Sequence, residues 1–350
     1  MSAADMLSGL TLDNGWKVTR HLARNPNGTG GTFSQSYEVK KDNKVGFLKA
    51  FDFSPAFDPG IDTVSAIQIL VEAYNHERDI LGHCGERKLS NVVLAIDHGS
   101  IQVPNLGNME GRVFYLIFEM AQGDVRVQMD ISTSFDTLWS MRALKDVTLG
   151  LHQVHREMIA HQDAKPSNVL AYGDKGFKIA DFGRASRRGL SARHDGFMIA
   201  GDRTYAPPEL LYGFTHPDFI PRRIGCDLYM LGNLAGFLFS GVNMTAHLLS
   251  RLDSQHHPMN WGGTYAEVLP YLQTAFTQVL GHVEPLIDER VRTNVLNLIK
   301  QQCNPDIAHR GHPKGIGRPA QYSLERYLSE LDLTTKRLEI KMRIEKRAAA

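Results

Sequence analysis

Residues 161–183 read HQDAKPSNVLAYGDKGFKIADFG: an acid (Asp163), a lysine (Lys165) and an amide (Asn168) share one short loop, and a second acid, Asp181, follows eighteen residues after the first. A carboxylate can accept a proton from a hydroxyl, a second carboxylate and an amide oxygen can ligate a hard cation, and an ammonium can neutralise an anion beside them. Together these are the groups needed to move a phosphoryl group. Its spread negative charge calls for a base for the incoming hydroxyl, ligands for a phosphate-bound metal, and nearby cations. Each residue alone reads as structural; their joint occurrence at this spacing carries the reading.

The elements that must position them divide the chain in two. From Gly15 to about Ala121 the sequence favours strands: WKVTRHL, SQSYEVKK and VGFLKAF are apolar-rich runs separated by turn formers such as Asn25-Pro26-Asn27-Gly28 and Asp42-Asn43. They predict the first three strands of an antiparallel sheet. Between the first two lies GTGGTFS, residues 28–34, where glycines let a backbone approach phosphates and donate N–H groups. Side chains alternate along a strand, so Lys49 shares a face with Phe47 and Phe51. A lysine on an apolar face needs an anion, which phosphates and a glutamate would supply. Helical spacing over about 63–82 puts Glu77 on the stripe of Leu70, Tyr74 and Leu81, whereas Glu72 points away with Asn75 and Asp79. Glu77 is therefore the expected partner, with Glu72 second. After Asp136 the period changes, and Leu138, Met141, Leu144, Leu151, Val154 and Met158 predict one long amphipathic helix. Strands first and helices second predict a two-lobed α+β fold.

The loop and the ADFG that follows it resemble the catalytic loop H-R-D-x-x-x-x-N and the D-F-G of the eukaryotic-type protein kinases. The resemblance runs over roughly residues 16–330. It implies a small antiparallel-sheet N-lobe with one main helix (16–121, with a hinge near 119–123), a larger helical C-lobe (124–330), and a basic tail or helix at 331–350. It further implies ATP and Mg²⁺ as cofactors. Asp163 would be the base or orienting carboxylate, Lys165 the cation on the transferred group, and Asn168 and Asp181 the magnesium ligands. Lys49 stands at the place of the family's third-strand lysine and Glu77 at that of its helical glutamate, followed by the apolar Ile80 and Leu81. Within VFYLIFEMAQGD, residues 113–124, Glu119, Met120 and Ala121 would hold the adenine, with Phe118 behind it. Gly28, Gly30, Gly31, Phe33 and Ser34 would cover the phosphates. Aligned on Phe33, however, Thr29 and Ser34 replace two of the family's three glycines. His161 and Phe182 would support the loop by packing.

Three features separate protein kinases from small-molecule kinases of the same core: GDRTYAPPE at 201–209 resembles the end of an activation segment, Asp227 the acid that anchors the catalytic loop, and Arg310 the partner of Glu209. They imply a protein substrate, and Lys165 matches the Ser/Thr pattern, although Asp202 stands where such kinases carry a threonine. Gln162 replaces the arginine of H-R-D that commonly clamps a phosphate, so phosphorylation of the segment is not expected to be the main switch. The alternatives are a pseudokinase that binds nucleotide or acts as a scaffold, favoured by the altered glycine loop and Gln162, and a small-molecule phosphotransferase.

Composition sets the bounds. With 39 Lys and Arg against 38 Asp and Glu in 350 residues, the overall field favours neither nucleic acid nor an anionic membrane. Three scattered cysteines, Cys84, Cys226 and Cys303, have no metal or disulfide spacing, and a reducing cytosol is expected. The N-terminal residues lack a signal-peptide pattern, and the apolar run Leu228–Val242 is shorter than the roughly 20 residues that span a bilayer, so a buried helix and a cytoplasmic protein are expected. Arg184, Arg187, Arg188, Arg193 and Arg203 make the activation segment basic, suited to acidic substrates or simply to solvent. The histidines His247, His256 and His257 have no coherent metal spacing. The basic stretch Thr334–Arg347 is a candidate surface for a regulatory partner.

Overall fold

Three sequence-adjacent strands, β1 (Lys17–Leu22), β2 (Ser34–Lys41) and β3 (Lys44–Phe51), pair antiparallel in a computed structural model that describes residues 2–23, 34–131 and 136–348. Asp42, at φ 52°, takes the left-handed conformation that a two-residue reversal between β2 and β3 requires. The helix α1 (Thr63–Glu86) follows, then β4 (Ala95–Gln102) and β5 (Arg112–Glu119), giving the sheet order β1-β2-β3-β5-β4.

The period-2 alternation gives this sheet two apolar faces. Tyr37, Val39, Leu48, Ala50, Val113, Tyr115 and Ile117 form one core with Ala4, Leu7, Leu12 and Trp16 from the residues before β1. The Tyr37 hydroxyl donates to the Ala4 carbonyl at 2.6 Å, and burial pushes its pKa up to about 12. Residues ahead of Trp16, which the sequence reading set outside the domain, are thus part of the packing. The other face carries α1. Tyr74 meets Phe51 at 5.2 Å and Phe114 at 5.0 Å between ring centroids, and Phe53 stacks on Phe114 at 5.3 Å. Phe53 belongs to the long connection after β3, to which sequence reasoning gave no role. It helps to hold α1 on the sheet.

The chain clusters into two units, Met1–Gln122 and Gly123–Ala350. In the second, β6 (Gly123–Asp124) and α2 (Val125–Ile131) precede α3 (Thr137–Arg156). Asp136 caps α3 by accepting the N–H groups of Leu138 and Trp139 at 2.9 and 3.0 Å. Met141, Leu144, Leu151 and Val154 are fully buried along one stripe. Met158, expected on the same helix, lies beyond its end: Met158 turns to φ 55°, and the chain enters the short strand β7 (Ile159–Ala160). β8 (Val169–Ala171) and β9 (Phe177–Ile179) join β6 in a small sheet, and β10 (Ser186–Arg187) pairs with β7.

The remaining helices are α4 (Pro208–Leu211), α5 (Gly225–Ser240), α6 (Met244–Ser250), α7 (Tyr265–Val283), α8 (Arg292–Gln302) and α9 (Glu325–Ala348). α5, the apolar run, is buried over nearly its whole length, and Gly232 lets α8 approach closely, since a Cβ there would lie 2.7 Å from Cys303 Sγ. Among the described residues no helix is long and apolar enough to cross a membrane.

Candidate active site

The acids and the lysine of the loop converge within one unit. The loop is anchored by Asp227, wholly buried near the start of α5, which accepts the backbone N–H groups of His161 at 2.7 Å and Gln162 at 2.6 Å and a bond from His155 Nε2 at 2.8 Å. A buried carboxylate with three donors is a well-satisfied anchor. His161 is committed to structure: its Nδ1 accepts the Asp163 N–H at 3.2 Å, so Nε2 carries the hydrogen donated to the Ala180 carbonyl at 2.9 Å. Its ring meets Phe182 edge-on at 4.7 Å.

Around Asp163 the partners are close. Oδ1 accepts the Asp202 N–H at 2.7 Å, and Oδ2 lies 3.0 Å from both Asn168 Nδ2 and Lys165 Nζ. Burial pushes the Asp163 carboxyl up; Lys165 opposes this and the charge of Asp181 reinforces it, and the net direction is upward. Asn168 Nδ2 also donates to the Asp163 carbonyl at 2.8 Å, which leaves its side-chain oxygen as the atom suited to a cation. The Ala180 N–H donates to the Asn168 carbonyl at 2.8 Å, tying the residues before Asp181 to the loop. Asp181 itself sits at φ 66°, a left-handed conformation that costs a non-glycine residue about 1–3 kcal/mol and concentrates at functional sites.

Lys165 faces a second acid, with Asp202 Oδ2 3.5 Å away. Burial raises the Asp202 carboxyl, but hydrogen bonds from Thr204 and the charge of Lys165 outweigh it, so the group lies below its ordinary range. Gly201 permits this approach, because a Cβ there would fall 2.3 Å from the Gln162 carbonyl.

In the first unit, Lys49 Nζ lies 2.9 Å from each carboxylate oxygen of Glu77, which is buried, and 5.5 Å from the Phe51 ring centroid. Glu72 is exposed and accepts from Gln68. A sequence model described as "protein kinase domain" matches residues 63–310. The chain belongs to the protein kinase family. Its antiparallel-sheet unit and helical unit are those of the two-lobed α+β kinase fold.

Among relatives, the kinase is 27% identical over 225 residues to a probable cell division protein kinase of Encephalitozoon cuniculi, covering 62% of this chain and 61% of that one. It is 31% identical over 170 residues to a putative cyclin-dependent serine/threonine-protein kinase of Dictyostelium discoideum, covering 46% of this chain and 23% of the relative. It is 23% identical over 292 residues to human ribosomal protein S6 kinase alpha-2, covering 77% and 36%. The matches thus span between about a quarter and three fifths of these relatives' own lengths.

Of the other expected site residues of this kinase, Gly28, Gly30, Gly31 and Phe33 lie outside the described residues. Ser34 opens β2 opposite Phe51, Glu119 ends β5 opposite Gly46, and Ala121 follows it, partly buried. Arg310, fully buried, grips Glu209 with two bonds of 2.6 and 2.7 Å. His256 stacks on Tyr271 at 3.6 Å, which explains it as packing. Sequence reasoning missed Arg223 and Asp195, which bond around Gln162 and carry no motif that would have marked them. Among the described residues no group of three or more His, Cys, Asp or Glu could hold a metal by itself.

Proposed function

We propose that this kinase transfers the γ-phosphoryl group of ATP to serine or threonine hydroxyls of a protein substrate, with magnesium. The observation that carries the reading is the arrangement of Asp163, Lys165 and Asn168 about one carboxylate. Magnesium, when bound, would supply charge neutralisation on the phosphates. Oxygen donors from Asn168 and Asp181 suit a hard ion, and an incomplete protein shell suits one that takes its remaining ligands from phosphate and water.

Asp163 would orient the acceptor hydroxyl and take its proton. The upward push on its carboxyl brings it nearer the range where a base works well. Lys165, between Asp163 and Asp202, would meet charge on the transferred group, while Lys49, held by Glu77, would hold the α and β phosphates. Lys165 favours Ser/Thr over Tyr, and the buried Glu209–Arg310 pair supports a protein acceptor through the shaped end of the activation segment. A kinase domain reaching to about residue 330, with the residues before Trp16 packed into its sheet core, and a regulatory contact through the basic 331–350 segment belong to the same proposal.

The test is incubation with Mg²⁺, γ-labelled ATP and generic protein substrates beside Asp163→Ala. Transfer that yields phosphoserine and phosphothreonine and falls about 10²–10⁴-fold in the variant is expected. Phosphotyrosine alone would overturn the acceptor class, and equal transfer by the variant would overturn the role of Asp163.

A further inference from the structure

Gln162 stands immediately before the proposed base, at φ 62°, and its side chain is buried in a closed ring of hydrogen bonds. Gln162 Nε2 donates to Ser186 Oγ at 2.7 Å, and the Ser186 hydroxyl donates to Asp195 Oδ1. Arg223 closes the ring: Nη1 donates to Gln162 Oε1, and Nη2 donates to the Asp195 carbonyl at 2.7 Å with Asp195 Oδ1 3.5 Å away. Arg222 Nη2 reaches the same carbonyl at 3.1 Å, and Asp195 Oδ2 accepts the Ala192 N–H at 2.7 Å. Gln162 Nε2 also donates to the Arg184 carbonyl at 3.0 Å.

Every bond around this ring has a donor facing an acceptor. The hydrogens run from the guanidinium of Arg223 through the amide and hydroxyl to the carboxylate of Asp195, the order in which such bonds reinforce one another. Arg223 lies on the π-helical turn Ile220–Ile224 that leads into α5, the helix whose Asp227 anchors the backbone of the same loop. A buried guanidinium requires a compensating anion. Here the chain's own Asp195 supplies it.

We infer that Arg223 and Asp195 are positioning residues for the transfer reaction: through Gln162 and Ser186 they fix the backbone that presents Asp163 and hold residues 184–196 against it, so that no phosphate is required in this place. Ser186 is 1% exposed, its hydroxyl is committed on both sides, and a phosphoryl group there would break the ring. The inference rests on the proposed kinase activity for its catalytic consequence and on the ring geometry alone for its effect on the segment.

The experiment therefore reads both. Hydrogen–deuterium exchange over residues 184–196 is measured for the wild type, Arg223→Ala, Asp195→Asn, Gln162→Arg and the exchange Gln162→Arg/Arg223→Gln, alongside ATP affinity and label transfer before and after phosphatase treatment. Arg223→Ala is expected to speed exchange in this segment, to lower kcat about a hundredfold, as a displaced catalytic group does, and to leave ATP affinity within a few-fold. Gln162→Arg sets a second cation against Arg223 and should do the same, and the exchange variant should recover at least a tenth of the wild-type rate. Phosphatase should leave the wild type fully active. Unchanged deuterium exchange in Arg223→Ala would overturn the inference whatever the activity. So would loss of wild-type transfer on dephosphorylation, or an exchange variant no better than its single substitutions. Faster exchange in a protein that transfers no label would keep the ring and defeat the proposed function instead.

Discussion

The kinase contains two ion pairs of nearly equal length in different settings. In one unit Arg310 and Glu209 are sealed from solvent: the guanidinium is 0% and the carboxylate side chain 5% exposed, and two bonds of 2.6 and 2.7 Å join them. In the other, Lys49 meets Glu77 at 2.9 Å, but its side chain keeps 18% of its exposure. Arginine's planar fork matches both carboxylate oxygens, and its guanidinium is more weakly hydrated than an ammonium, so it suits a sealed site. Burial alone would lower the Arg310 pKa, but Glu209 more than offsets it, and the net direction is upward. A lysine with part of its surface still open retains the means to meet a further anion. The first arrangement is an anchor; the second fits the phosphate-holding role proposed for Lys49.

Breaking the anchor gives the largest expected effect. Arg310→Ala leaves Glu209 charged and buried and should cost about 3–5 kcal/mol, read as a fall in the denaturant midpoint; Glu209→Ala should do the same from the other side. Replacing both with apolar residues of matching volume should cost less than either single change, because no stranded charge remains. A double variant as unstable as the singles would mean that packing of Arg310, 5.0 Å from the Tyr229 ring, dominates over its charge.

Lys49→Met tests the contrast directly. Its stability cost should be smaller, about 1–3 kcal/mol: Glu77 is itself buried, but the 18% exposure of Lys49 leaves a side from which water can replace the lost ammonium. Its effect on transfer should be larger, about 10²–10³ in kcat or about 2.7–4 kcal/mol, as for loss of one preorganised electrostatic group. Thermal denaturation and steady-state kinetics on the same preparation separate the two. Equal effects of Lys49→Met and Arg310→Ala on stability would erase the distinction between anchor and ligand group.

These pairs also differ in how far the sequence disclosed them. Glu77 was legible because a helix repeats every 3.6 residues: Tyr74, Glu77 and Leu81 fall on one stripe and are all buried, while Glu72 falls off it and is exposed. The grouping of Asp163, Lys165 and Asn168 was legible because they are close in sequence, on one short loop. The packing of Ala4 and Leu7 against the sheet was not, since a short apolar stretch before β1 carries no period. Nor was β4, whose Asp97, His98 and Gly99 are poor strand formers placed there by pairing with β5. Arg223 and Asp195 were the hardest to see. An Arg-Arg pair before a helix reads as a solvated surface; only the tertiary fold brings Arg223 to the carbonyl and carboxylate of Asp195, 28 residues away, and to a glutamine 61 residues away.

A third pair fixes the lower end of the scale. Asp288 accepts from Arg290 Nη2 at 2.6 Å and from Thr137 Oγ1 at 2.8 Å, but the side chains keep 24% and 27% of their exposure. Hydrogen bonding from Arg290 holds the Asp288 carboxyl well below its ordinary range. A folded-state pKa below the unfolded value means that the charged form stabilises the fold above the unfolded pKa, about 3.9 for Asp. That contribution is lost as pH falls through the folded value. Water screens so open a pair, and about 0.2–1 kcal/mol is expected. Asp288→Asn keeps one oxygen as an acceptor for Thr137 but removes the charge and replaces the second oxygen, which accepts from Arg290, by a donor. Its stability deficit, measured by urea denaturation, should be present at pH 6 and smaller at pH 3. A deficit as large as that of Arg310→Ala, or one that grows on acidification, would show that burial is not what ranks these three pairs.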